Sequence, residues 1–124
     1  MSTFCTSIHC MDGRVQEPII NFLKEHYSRK YVDSITEAGP CKILAENSNE
    51  VLVNSILERV GISIGKHKST LIAISGHHDC AGNPCDREGQ IAQIKQSILF
   101  CMGIYPDVEV IGLWVDDEWK VNIV

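Results

Sequence analysis

The sequence predicts an α/β fold: an open, mostly parallel β-sheet of about four strands, extended by an antiparallel C-terminal edge strand and covered by helices on both faces. Three observations predict it. Short apolar or β-branched runs alternate with longer segments of helical periodicity, in the order β-α-β-α-β-α-β-β. The run Leu71-Ile72-Ala73-Ile74 is continuously apolar, which suits a central parallel strand covered on both faces. The last segment instead alternates, with Trp119, Val121 and Ile123 separated by polar residues, as an edge strand does.

Taken in order, residues 3–10 mix β-branched and small side chains and read as the first strand. Residues 15–29 read as a helix, with Pro18 tolerated in its first turn and Ile19, Ile20, Phe22 and Leu23 supplying apolar faces. Residues 31–36 form a short second strand, ended by Ala38-Gly39-Pro40. A helix over 48–65 follows from Leu52, Ile56 and Val60 at i, i+4 and i+8, and Asn47 with Glu50 resembles a capping box. Residues 69–75 are the third strand. Ile91, Ile94, Ile98 and Cys101 mark a helix over 87–102. Residues 108–115 are the fourth strand, Asp116-Asp117 makes a tight turn, and 119–123 form the edge strand.

Length and composition fit one domain over residues 1–124, with 44% hydrophobic residues. No apolar run approaches the roughly 18–20 residues that span a membrane. A formal net charge of −5 without a basic stripe argues against a nucleic-acid partner. The start, MSTFCTSIHC, lacks the basic and apolar regions of an export signal, so a cytoplasmic protein is expected. In that setting the six cysteines point to metal or redox chemistry rather than to a disulfide framework.

Ligands of open α/β sheets bind beyond the carboxyl ends of the strands. Two cysteine-bearing segments fall there. Residues 9–14 (HCMDGR) leave the first strand and residues 76–80 (GHHDC) leave the third, so both should face one crevice. His77 and Cys80 have H-x-x-C spacing, and Cys10 would join them from the neighbouring loop. Two thiolates and an imidazole suit Zn2+, and three protein ligands leave a fourth position, as catalytic zinc sites require. Arg14 can hold Asp12 by a bidentate pair and keep it ionised. Asp12 could then accept a hydrogen bond from zinc-bound water, swing in as a fourth ligand, or simply cap the following helix.

The remaining reactive residues carry weaker expectations. His78 and Asp79 are candidates for a proton shuttle and for orienting a ligand histidine, with solvation as the alternative. His9 is expected to point away from Cys10 and to serve packing or the surface. His26 and His67 are expected to be solvated. Cys5 and Cys101 read as core residues, Cys41 has no evident partner, and Cys85 reads as an inert residue at a helix start.

Cys10-x-Asp12-Gly13-Arg14 followed by Gly76-His77-x-x-Cys80 resembles the zinc signature of β-class carbonic anhydrases, C-x-D-S-R and then G-H-x-x-C-G. The Asp33 to Gly39 stretch resembles the family's segment ending in R-N-A-G, and VEVIGLWVDDEWKVNIV is similar to its last two strands. Gly13 replaces the family's Ser, Glu37 stands near its Arg, and Ala81-Gly82 follows the second cysteine in place of Gly. The chain thus looks like a short, divergent member. The resemblance implies Cys10, His77 and Cys80 as zinc ligands, Asp12 and Arg14 as a gate or hydrogen-bonding dyad, and a homodimer or higher homo-oligomer. It also implies reversible hydration of carbon dioxide to bicarbonate by zinc-bound hydroxide. Alternative expectations are a zinc hydrolase of carbonyl sulfide or carbon disulfide, a non-catalytic zinc or bicarbonate-binding module, and, ranked last, a thiol redox protein.

Overall fold

The computed structural model describes residues 3–124; Met1 and Ser2, which open the stretch read for an export signal, lie outside the described residues. The elements run β1 (Phe4–Cys10), α1 (Gly13–His26), β2 (Tyr31–Glu37), α2 (Pro40–Glu46), α3 (Glu50–Gly65), β3 (Leu71–His77), α4 (Arg87–Ile104), β4 (Glu109–Val115) and β5 (Val121–Ile123). They build one five-stranded sheet in the order β2-β1-β3-β4-β5. The pairs β1–β2, β1–β3 and β3–β4 are parallel, and β4–β5 is antiparallel. The expected fold class is therefore the observed one. Among the described residues, no helix is long and apolar enough to cross a membrane.

The sheet separates two apolar layers. On one side α1 contributes Val15, Ile19 and Leu23, which pack with Cys5, Leu71, Ala73, Leu113 and Val115. On the other, Cys41 and Leu44 of α2, Ile56 and Val60 of α3, and Ile94 and Cys101 of α4 pack with Ile8, Ile35, Ile72 and Ile74. Every residue of β3 is buried, because this strand lies mid-sheet between both layers. After β2 the chain returns across β1 to form β3 on its other side. The strand order thus reverses between β1 and β3, and the crevice beyond their carboxyl ends is the switch point where such sheets bind ligands.

Three local expectations are corrected. Ala38-Gly39-Pro40 ends β2, but Pro40 also opens the helix α2, because proline's fixed φ suits a first helical position where no N–H is needed. The cap of α3 is Asn49, whose side chain accepts from Leu52 N at 3.1 Å; Asn47 is instead the left-handed residue ending α2. Trp119 does not belong to β5. It lies in the β4–β5 turn at φ 60°, while Asp116 Oδ1 accepts from Glu118 N and Lys120 N and closes that turn.

Candidate metal centre

Cys10 is the last residue of β1 and His77 the last of β3, so the switch point itself brings them together. The turn after β3 returns Cys80 to the same place, with Asp79 at φ 57°. Cys10, His77 and Cys80 are 6%, 2% and 5% exposed, so all three side chains are buried. Their ligand atoms all lie within 4.8 Å of one another. The Cys10 and Cys80 sulfurs are 3.8 Å apart. Two sulfurs on one tetrahedral zinc, each about 2.3 Å from it, would also sit about 3.8 Å apart.

The histidine supplies a second test of fit. His77 Nδ1 lies 2.7 Å from the carbonyl oxygen of His78. A carbonyl only accepts, so the proton belongs on Nδ1 and the lone pair on Nε2. Among the described residues, Nε2 is buried with no hydrogen-bond partner. Buried polar atoms rarely stay unpaired, and a borderline-soft cation held with two thiolates satisfies this one. The three residues therefore fit zinc.

Electrostatics couples the same three side chains. The hydrogen bond from Cys80 holds the Cys10 thiol well below its ordinary range, against burial and with help from His77. That bond and burial push Cys80 up, since the pair shares one proton. Burial pulls His77 down, but the Cys10 sulfur, the His78 carbonyl and Asp12 together leave it raised. A cation held between the two sulfurs would take both as thiolates and release their protons.

Asp12 and Arg14 form the expected bidentate pair. Arg14 Nε donates to Asp12 Oδ1 at 3.0 Å and Arg14 Nη2 donates to Oδ2 at 2.7 Å. These bonds lower the Asp12 carboxyl to about 2. Asp12 caps α1 as well, because Oδ1 also accepts from Arg14 N at 2.9 Å. The capping and pairing readings thus coexist in one side chain. Asp12 Oδ2 lies 4.0 Å from His77 Nε2 but is turned to Arg14.

Amides that carry no motif signal hold the centre in place. Gln16 Nε2 donates to the Cys10 and Asp12 carbonyls at 2.9 and 2.8 Å, fixing the turn between them. Its Oε1 accepts from His9 Nε2, and His9 Nδ1 is 2.7 Å from Ser7 Oγ. Gln90 of α4 grips the His77 backbone in both directions, accepting from its N–H at 3.1 Å and donating to its carbonyl at 2.9 Å. Behind them the β2 and β3 loops touch. A Cβ on Gly82 would fall 2.6 Å from the Ala38 carbonyl carbon, and Gly39 holds φ 67° with Asn83 Cβ against it. Sequence spacing gives no sign of Gln16 or Gln90, though each lies three residues inside a helix start, near a presumed ligand.

The other reactive residues divide as follows. Asp79 does not orient His77; its carboxylate accepts from Arg14 Nη1 at 3.2 Å and its carbonyl from Nη2 at 3.1 Å. His78 is exposed, with its ring near Trp119. It also borders a cavity of about 350 Å³, lined with Arg87, Trp114, Asp116, Asp117 and Asn122, that excludes all three presumed ligands. His9 is fully buried, as packing requires. His26 and His67 are exposed, and His67 Nδ1 pairs with Asp33. Cys5 and Cys101 are core residues. Cys41, too, is buried in the core, 3.6 Å from Asn83 Nδ2. Cys85 is exposed just before Asp86, which caps α4.

A family model described as "Putative carbonic anhydrase" matches residues 1–124. Several solved structures share the fold. One of two tetrameric β-carbonic anhydrases from Sordaria macrospora superposes with a TM-score of 0.66 at 12% identity, over 99% of this chain and 80% of that one. A carbonic anhydrase from Glaciozyma antarctica gives 0.57 at 18% identity, over 95% and 80%. A β-carbonic anhydrase from Aspergillus fumigatus gives 0.57 at 13%, over 99% and 75%. No curated protein matches the chain by sequence. The family match over the full length, on a sheet shared with these structures, shows that the chain belongs to this carbonic anhydrase family.

Proposed function

We propose that the protein catalyses the reversible hydration of carbon dioxide to bicarbonate, with zinc held by Cys10, His77 and Cys80 in one unit spanning residues 1–124. The observation that carries this reading is the unpartnered, buried His77 Nε2, set beside two sulfurs and 4.0 Å from Asp12. When bound, zinc lowers the pKa of a coordinated water towards about 7 and so supplies a nucleophile at neutral pH. Cys10 and Cys80, as thiolates, and His77, through Nε2, would hold the ion, three protein ligands in all. Asp12, 4.0 Å from His77 Nε2, would serve as the anionic hydrogen-bond acceptor that orients the nucleophile. Arg14 keeps Asp12 ionised and turned aside from the ligands. The exposed ring of His78, next in sequence to a ligand, would pass the released proton to solvent.

The substitution Asp12→Asn tests the division of labour. It preserves the cap and removes the anionic acceptor. Zinc content should stay at the wild-type level while kcat/KM for hydration falls about 10- to 100-fold. A zinc-loaded wild type that hydrates no carbon dioxide above buffer overturns the reading; carbonyl sulfide and carbon disulfide assayed on the same sample identify a related hydrolase. We also infer a cytoplasmic homo-oligomer, a dimer or larger. Six free cysteines suit a reducing compartment, and the Sordaria macrospora relatives are tetrameric.

A further inference from the structure

Trp119, in the β4–β5 turn, reaches this site from the edge of the sheet. It occupies the left-handed region at φ 60°, a conformation that is unfavourable for a bulky residue and persists only where its surroundings impose it. The turn around it is tightly determined. Asp116 Oδ1 accepts from Glu118 N and Lys120 N, its Oδ2 accepts from Asn122 Nδ2 at 3.0 Å, and its carbonyl accepts from Trp119 N at 3.0 Å. The result lays the indole over the guanidinium of Arg14, whose Cζ lies 4.5 Å from the ring centroid. The same indole is 6.3 Å from the His77 ring.

Arg14 is therefore held from three directions. Asp12 takes one edge of the fork, the Asp79 carbonyl and carboxylate take the other, and Trp119 covers a face. An arginine whose side chain is 46% exposed has little else to fix its rotamers. Asp12 has two competing destinations, the Arg14 fork or the metal, because Oδ2 is only 4.0 Å from a ligand nitrogen. Whatever restrains Arg14 biases that choice.

We propose that Trp119 is a positioning residue that, by stacking on Arg14, keeps Asp12 paired with Arg14 and out of the fourth coordination position. This rests on the zinc reading above and adds to it a residue that touches neither metal nor substrate. The stack closes the gap between the β4–β5 turn and the β3 turn, so the edge of the sheet sets whether the centre is open.

The test replaces zinc with cobalt(II) in the full chain and titrates azide while following the visible d–d bands. Azide reads whether the fourth position can be exchanged and does not depend on hydration activity. Trp119→Leu keeps apolar bulk but removes the π face, and should weaken azide binding about two- to fivefold, the range of a cation–π contact at a half-exposed site. Trp119→Phe should recover most of that loss. Combining Trp119→Leu with Asp12→Ala should restore the response fully, because no carboxylate is left to compete. Wild-type azide affinity in Trp119→Leu, or no recovery in the double variant, overturns the proposal. A wild type that takes up no cobalt overturns the zinc reading itself, whereas cobalt and azide binding without hydration leaves Trp119's role standing and rejects only the reaction. A second measurement needs no variant. The Arg14 Nε–H resonance of the wild type should be slow to exchange with water and displaced upfield by the indole ring current; an averaged, unshifted signal contradicts the stack.

Discussion

Two buried polar clusters flank strand β1, and they are finished in opposite ways. On the α3 side, Ser63 Oγ accepts from Thr6 Oγ1 at 2.6 Å, donates to Asp33 Oδ2 at 2.7 Å and lies 2.7 Å from Ser69 Oγ; Asp33 also receives His67. Each of these hydroxyls has a protein partner. At the carboxyl end of the strand, Cys10, His77 and Cys80 are just as buried, yet the two sulfurs face each other at 3.8 Å and His77 Nε2 has no hydrogen-bond partner among the described residues. A satisfied network rigidifies a fold, while an unsatisfied one of this donor type calls for a ligand. Burial of histidine, cysteine and aspartate does not by itself separate structure from chemistry; the satisfaction of each atom does.

The largest expected effect lies at the unsatisfied cluster. Cys10→Ser and His77→Ala should each lose stoichiometric zinc on metal analysis. Zinc at a hundred times its Kd should stabilise the wild type by about 2.7 kcal/mol against thermal unfolding, and the two variants not at all. Equal stabilisation of variant and wild type would erase the contrast between the clusters.

The satisfied cluster should behave in reverse. Ser63→Ala leaves Thr6 and Ser69 without their shared partner and should cost about 1–3 kcal/mol in denaturant unfolding. Its zinc content should match the wild type. Loss of zinc in Ser63→Ala would show that the two clusters act as one.

The smallest effect at neutral pH comes from thiols that belong to neither cluster. Burial raises Cys5, Cys41 and Cys101 from the ordinary 9.0 to about 11. The unfolded chain releases these protons first as pH rises. Their contribution to stability is therefore complete below pH 9 and is lost as pH climbs towards 11. Unfolding midpoints should be insensitive to these thiols from pH 6 to 8 and should fall on the alkaline side. A midpoint that holds steady to pH 11 would mean these thiols are not buried in solution.

What could be read in the chain follows from which interactions leave a local pattern. The continuous apolar run of β3, the β-branched and small residues of β1 and the helical repeats of α3 and α4 place those elements, because burial against a sheet demands them. The H-x-x-C spacing and the strand ends together bring Cys10 to His77 and Cys80, because a parallel sheet aligns its carboxyl ends. The short helix α2 was hidden because Gly39-Pro40 signals a stop and a start at once. Trp119 alternates with Val121 as a strand residue would, and only the Asp116 turn, a matter of side chain to backbone bonds, lifts it over Arg14. Gln16 and Gln90 are neutral amides with no periodic or charge signature, and their roles exist only once the backbone brings carbonyls and N–H groups within reach. Asp79 was visible as a reactive residue but not as a partner of Arg14, because that contact spans 65 positions of sequence.

The most direct test is a stopped-flow titration: the initial rate of carbon dioxide hydration measured as zinc is added to metal-free protein. Zinc-dependent chemistry at Cys10, His77 and Cys80 predicts a rate that rises linearly and levels off at one zinc per chain. A rate that stays at the buffer value across the titration, or one that is independent of zinc, would contradict it.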